Sequence, residues 1–563
     1  MSNLLGSIQQ SANALNVAQI GVQVVGNNIA NTNTPGYIRQ ELEQATAIGS
    51  RQGGLIQGHG VLPTGVRQQV DQQLLERMFN AQTDLSGAEA LRTAYGQLEE
   101  LTNDLGDNGL NAQFSQFDAA LQELSTQPND PSLRDFVILQ AETMTQVLRD
   151  NRDEALTRQE LFNGNLNDAA AEINKLTERI AKQNIDIATI EGGGAITSDA
   201  TGLRDQRYRD LEELAKYVNI NFQEQSTGVI NVFVGGDYLI SNGIRREVYS
   251  AYSDAIGGNE VRIIETDSPL DATGGLVGAA TAGRDEVFGD YVARLDRLSA
   301  GLIRAVNEIH ASGQGGVPFD GVESTNASQT GVPLRSAGLP FEPRNGSFDI
   351  NVHDRDGEII SSHRIAVRNL GTVDDSTIDS IVADIDAIDG LGASINRSGN
   401  ITIEADSATS SFSFIDDNSG FLAATGINTF FTGRSALDIA VNPKLRENTD
   451  LLAVSRTGIG RDTDVLSDLI GVIDRPLSDL GDDSVRSLYE QTITGLGQRV
   501  ALQQSSSEGL SDFYNTLKSQ HLAISGVNID EESIKLIAYQ RAFQASSRVI
   551  STAAEMLELL VNL

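Results

Sequence analysis

MSNLLGSIQQSANALNVAQIGVQVVGNNIANTNTPGYI, residues 1–38, contains no Asp, Glu, Lys or Arg. In a chain that is 21% charged, about eight charges would fall in a stretch of that length. Leu4, Ile8, Ser11, Leu15, Ala18, Val22, Val25 and Ile29 recur through it in alternating steps of four and three. This heptad spacing predicts a helix from about Leu4 to Ala30 carrying a coiled-coil seam. Thr34-Pro35-Gly36-Tyr37 should end it, with Pro presetting the first turn position and Gly taking a positive φ at the second. Asn31, Pro35, Gly36 and Tyr37 therefore mark a terminating turn.

Working outward, the opposite end repeats the pattern. Leu536, Tyr539, Phe543, Ser546, Ile550, Ala553, Leu557 and Leu560 form a second heptad line, and Asn528 with Glu531 suits an N-cap and its capping box. Two seams at opposite ends predict that the ends pair. The expected contacts are Leu4, Ile8, Leu15, Val22, Val25 and Ile29 against Tyr539, Phe543, Ile550, Leu557 and Leu560. A heptad stripe alone is ordinary core between helices. The missing charge asks for more, because a two-helix coil keeps a solvated charged face. A helix uncharged all round is expected where it is enclosed on every side, as inside a tube of identical subunits.

Between the ends, the chain of 563 residues is too long for one core and predicts about three to four domains. Residues 53–65 read as a glycine-rich extended connector. Helical spacing follows over 66–104 and 110–126, with Pro128 and Pro131 forcing a break. A long helix from about Ser132 carries a line through Ile173, Leu176, Ile180, Gln183, Ile187 and Ile190, closed by Gly192-Gly193-Gly194. Over 218–244 the period switches to two, as in Ile230, Val232 and Val234, before helix returns over about 284–311. Residues 346–369 and 400–431 alternate again, with Asp356-Gly357 as a hairpin signal. Helix resumes from Ser484 to about His521.

The order is nested: 1–60 and 523–563 form a terminal coiled-coil domain, 61–329 and 439–522 a helical body with a small β element at about 218–280, and 330–438 a β-rich outer domain. The fold class is mainly α with a β-rich insert, in an elongated multi-domain protein whose N- and C-terminal helices pair as a coiled coil.

Composition excludes several functions. The net charge of −36 repels phosphate backbones and anionic lipid, so neither nucleic acid nor membrane is an expected partner. There is no cysteine, hence no disulfide, thiol nucleophile or thiolate metal site. No stretch approaches the ~20 apolar residues of a membrane span, and polar residues interrupt every run of the signal-peptide kind. His59, His310, His353, His363 and His521 never fall at metal-ligand spacing. Asp354-Arg355-Asp356-Gly357-Glu358 lacks the acidic positions of a calcium loop and reads as a hairpin turn. Gly458-Ile459-Gly460 lacks the second half of a phosphate-binding pattern. No catalytic residue, metal or cofactor is expected.

The wording of the segments carries a resemblance. NNIANTNTPGYIRQ from Asn27 and SGVNIDEESIKLIAYQRAFQASSRVISTAAEMLELLVNL from Ser525 resemble the termini of the axial proteins of the bacterial flagellum. LRDQRYRDLEELAKYVNI from Leu203, GVINVFVGGDYLISNG after it, and RLDRLSAGLIRAVNEIHASG from Arg294 resemble the FlgK family of first-type hook-associated proteins. The resemblance implies a structural, non-enzymatic component of the hook-filament junction, needed for filament assembly. It also implies self-association into a helical ring of about eleven subunits. The partners it implies are the hook protein, a third-type hook-associated protein as second junction layer, and a cytoplasmic export chaperone on the C-terminal helix. The location it implies is the extracellular flagellum, reached through the flagellar type III channel, although composition alone suggests the cytoplasm. Another axial subunit, hook or rod, is disfavoured by the chain length and by the helical block over 132–190. A secreted enzyme using the β-rich domain would need a convergent polar cluster that the sequence does not show.

Overall fold

The computed structural model describes residues 2–52, 55–102, 109–192 and 198–561, with side chains apart from those of 2, 3, 50–52, 55–57, 560 and 561. Helix α1 (Ser2–Ala30) leads into strands β1 (Gln40–Thr46), β2 (Ser50–Gln52), β3 (Leu55–Gln57) and β4 (Val61–Gln68). Helices α2 (Gln72–Leu101), α3 (Leu110–Thr126), α4 (Pro131–Glu191) and α5 (Thr201–Tyr217) follow. Pro131 stands at the first position of α4, where its missing N–H costs nothing, and the Asp130 carboxylate accepts from Ser132 N at 2.8 Å. Along α4, Ile173, Leu176, Ile180 and Ile187 are buried as their spacing predicts, whereas Ile190 is exposed. Gly193 and Gly194 lie outside the described residues.

The sequence reading of 66–104 as one helix is corrected at its start. Residues 61–68 form β4, which pairs antiparallel with β1 from Gln40↔Gln68 to Thr46↔Val61. Pro63 and a register shift at Glu43/Gln44 weaken the alternation that marks a strand, and a two-stranded hairpin tolerates both. Residues 103–108 are not described.

Strands β5 (Ile220–Glu224), β6 (Ile230–Val234), β7 (Asp237–Ser241) and β8 (Ile244–Arg245) make a four-stranded antiparallel sheet. Ile230, Val232 and Val234 all face its covered side. β9 (Val248–Ser253), β10 (Gly258–Ile263) and β11 (Ser268–Pro269) form a second sheet, followed by α6 (Gly275–Ala282), a π-helical turn over Gly283–Gly289, and α7 (Asp290–Ala311). Helix thus begins earlier than the expected Arg284.

In the insert, β12 (Gly321–Glu323) leads to β13 (Gly346–His353) and β14 (Ile359–Val367), whose hairpin turns with Gly357 at φ 80°. Helix α8 (Ile378–Asp386) starts at a capping box between Thr377 and Ser380. Strands β15 (Leu391–Ile395), β16 (Ile401–Ala405) and β17 (Ser411–Ile415) complete two sheets, ordered β12-β16-β15 and β14-β13-β17. The alternation read through to residue 431 ends at Ile415. Beyond it the Asp417 carboxylate takes the N–H groups of Ser419, Gly420 and Leu422 and starts α9 (Phe421–Thr425). The pair β18 (Phe431–Thr432) and β19 (Ala440–Val441) and the short helices α10 (Pro443–Glu447) and α11 (Asp464–Leu469) precede α12 (Val485–Ser525) and α13 (Ile529–Val561).

Two compact units emerge. The first comprises Met1–Ala94, Glu160–Arg284 and Ala501–Leu563; the second comprises Tyr95–Gln159 and Asp285–Val500. The core of the second is apolar and aromatic: Phe348 stacks on Phe421 at 5.6 Å between ring centroids, and Phe412 meets Phe414 edge-on. His310, fully enclosed in this unit, bridges two loops, with Nδ1 2.9 Å from Asn428 O and Nε2 accepting from Ala453 N at 3.0 Å. Burial lowers its pKa to about 4, so it is neutral and structural.

Candidate functional site

Within the first unit α1 packs against α13 and against the hairpin of β1 and β4. Of the expected seam residues, Val25 is buried, while Leu4, Ile8, Leu15, Val22 and Ile29 are half-buried. The deepest heptad line lies one residue earlier, through Val17, Gly21, Val24 and Asn28. Counting large apolar residues missed it because two of its members are a glycine and an amide. Ala18 and Val25 are buried on the adjacent side. The remaining exposed positions include Gln9, Gln10, Asn16, Gln19, Gln23 and Asn27, a polar but uncharged face.

On α13 part of the expected line is covered. Leu536, Tyr539, Ser546, Ile550 and Leu557 are half-buried and Ala553 is buried, while Phe543 stays 39% exposed. Leu560 lies outside the described side chains. A Cβ on Gly21 would fall 2.6 Å from Tyr539 ring carbons, so that ring rests directly on the α1 backbone.

The turn after α1 forms as its residues dictate. Tyr37 N donates to Thr34 O at 3.2 Å, and Gly36 at φ 73° occupies the position that requires left-handed backbone. Asn31 Nδ2 returns to Asn27 O, and its Oδ1 accepts from Thr34 Oγ1. Arg209 Nη1 donates to Pro35 O at 3.1 Å.

What the turn achieves is a buried polar junction that sequence reasoning did not identify. Asn28 is fully buried inside the charge-free helix. Its Nδ2 donates to Gln40 O and to Glu532 Oε2, both at 2.9 Å; its Oδ1 accepts from Tyr37 Oη at 2.9 Å and Gln40 N at 3.0 Å. All four positions of the amide are used. Arg39 Nη2 lies 2.7 Å from Glu532 Oε1 and 2.9 Å from Glu531 Oε2, and its N donates to Ser525 O at 2.8 Å. Asn528 does cap α13, accepting from Asp530 N at 2.9 Å. Glu531 does not close the expected capping box; Arg39 engages its carboxylate instead. One signal was available: Arg39 is the first charge after 38 residues without any.

Electrostatics follow from burial. Asp205 Oδ1 accepts from Ile38 N at 3.2 Å and Gln68 Nε2 at 2.6 Å, yet burial still pushes its carboxyl up to about 6. Burial, with the Asp205 and Glu532 carboxylates nearby, raises the Tyr37 hydroxyl above its usual range and keeps it a donor. Beside this junction a groove of about 520 Å³ is lined by Pro35, Tyr37, Tyr208, Arg209 and His521 among others. Among the described residues no His, Cys, Asp or Glu cluster could hold a metal ion, and no helix is long and apolar enough to cross a membrane. The chemistry of the arrangement is fastening: it ties the end of α1 to the start of α13.

Comparison with known proteins places these features. Residues 95–320 match the family described as flagellar hook-associated protein FlgK helical domain. Residues 518–563 match the flagellar basal body rod FlgEFG protein C-terminal family, and residues 8–37 the flagella basal body rod protein family. Flagellar hook-associated protein 1 of Salmonella typhimurium is 25% identical over 590 residues, covering 99% of both chains. The protein of the same name from Bacillus subtilis is 22% identical over 569 residues, covering 100% of this chain and 99% of that one. The flagellar hook junction protein FlgK of Burkholderia pseudomallei has a similar fold, with a TM-score of 0.50 at 14% identity, covering 80% of this chain and 100% of that one. A similarity to hook-associated protein 1 along the whole chain, a FlgK helical-domain match and axial-protein matches at both termini together make the FlgK family of flagellar hook-associated proteins the family that this chain is similar to.

Proposed function

We propose that this chain is a structural subunit of the bacterial flagellum that joins the hook to the filament and is needed for filament assembly. The observation that carries this reading is the end-to-end similarity to hook-associated protein 1, which spans both termini and everything between them. The short terminal matches alone would suit a rod or hook subunit, and the helical-domain match over 95–320 favours the junction. Hook protein on one side and a third-type hook-associated protein on the other are the partners this role calls for. Self-association would run through the surfaces that one chain leaves open: the amide-rich face of α1, and the side of α13 where Ile534, Ile537, Val549 and Leu559 are exposed. The residues over 330–438 are the proposed outward-facing domain. Export through the flagellar type III channel, with a cytoplasmic chaperone on α13, completes the reading.

Cells lacking the chain should carry hooks without filaments and release flagellin to the medium. Filaments of normal length on such cells would overturn the proposal. A single substitution sharpens it. Leu557 is half-buried on the α13 seam, and Leu557→Asp places a carboxylate in that contact, so filaments should be lost while the second unit melts as before.

A further inference from the structure

Two contacts between α1 and α13 lie one heptad apart on both helices. Gly21 sits under the Tyr539 ring, and Asn28 meets Glu532. Going from the first contact to the second, the chain position rises on α1 and falls on α13, so the helices are antiparallel. The first contact is steric: any side chain in place of Gly21 would meet the ring at 2.6 Å. The second is polar, with Asn28 0% and Glu532 1% exposed, and Arg39 holds the carboxylate from its other side.

The apolar seam does not choose a register. Valine, leucine and isoleucine recur every heptad, so sliding one helix by a heptad sets apolar against apolar again. The two special layers respond differently. A slide in one direction puts Asn28 under the Tyr539 ring. A slide in the other puts Ala14 there, and sets Glu532 against Gly21, where no amide donor reaches it. Either slide strands a buried carboxylate or a buried amide. We propose that the Gly21–Tyr539 and Asn28–Glu532 layers, rather than the apolar stripe, set the register in which the two ends of this chain pair, with Arg39 as a positioning residue for Glu532.

The chain has no cysteine, so introduced pairs are unambiguous probes. In the full chain, Ala14→Cys with Ser546→Cys, a further heptad along both helices, reports the register described here. Ser7→Cys with Ser546→Cys reports a slide of one heptad. Dilute oxidation followed by peptide mass spectrometry should give the first disulfide and not the second. Adding Asn28→Leu with Glu532→Leu should preserve the helical content and raise the second disulfide at least tenfold relative to the first. Glu532→Gln, which still accepts from Asn28, should keep the original pattern. An unchanged pattern in the double-leucine chain would overturn the proposal. Loss of both disulfides would overturn it too, since the layers would then hold the helices together without choosing their register. The readout is within one chain, so either failure leaves the flagellar reading standing.

Discussion

The terminal junction of the first unit and the aromatic core of the second solve different problems with different chemistry. The second unit gathers Phe348, Phe412, Phe414 and Phe421 with Ile350, Ile381, Ile385 and Ile403 into one core, and His310, enclosed in the same unit, is neutral. The junction instead buries an amide, a guanidinium and a carboxylate where two chain ends meet. An apolar core is stable in many packings, whereas a buried polar cluster is satisfied in one. The contrast teaches that the second unit is built to hold together, and the junction is built to hold one arrangement.

Substitutions in the two places should therefore fail differently. Phe414→Ala removes a fully buried ring and should cost the second unit about 3–5 kcal/mol, read as a lower calorimetric melting transition with the terminal disulfide reporters unchanged. A shift in those reporters would break the comparison. Arg39→Met should cost the junction about 3 kcal/mol by leaving Glu532 buried without its cation. Hydrogen exchange at the start of α13 should quicken, and Arg39→Lys, which keeps a cation beside Glu532, should quicken it less; equal exchange in the two variants would show that the charge is not the cause.

The smallest effects are opposite pH slopes. His310 has its pKa lowered from 6.5 to about 4, so the stability tied to its neutral form is present above pH 6.5 and is lost as pH falls through about 4. Asp205 has its pKa raised from 3.8 to about 6, so its contribution is fully present below 3.8 and is lost as pH rises through about 6. His310→Gln should flatten the acid loss of the second unit, and Asp205→Asn should flatten the loss of the first on the alkaline side. Melting curves of the two variants from pH 4 to 7 should diverge from the parent in opposite directions, and parallel curves would remove both assignments.

Much of this architecture is legible in the sequence because it rests on local rules. The turn at Pro35-Gly36, the strand alternation at Ile230, Val232 and Val234, the cap at Asn528 and the α13 seam each follow from a few neighbouring residues. What was not legible involves distant partners. The α1 seam was misplaced by one residue because Gly21 makes sense only under Tyr539 and Asn28 only beside Glu532, more than 500 residues away in sequence. Strand β4 was missed for a related reason: its partner is β1, and its own alternation is broken by Pro63. Helix α8 was missed although its capping box is local, since nine residues between strands offer few turns of periodicity.

Asn28 also bears on chemical ageing. Spontaneous loss of its amide nitrogen would remove the donor that the buried Glu532 carboxylate accepts from. Conversion of Asn28 to aspartate would exchange a donor for an acceptor and set a second carboxylate 2.9 Å from Glu532, a like-charge pair in a buried site. The local structure opposes that reaction twice. The next residue is β-branched Ile29, and the helical backbone holds its N–H away from the amide carbon it would have to attack.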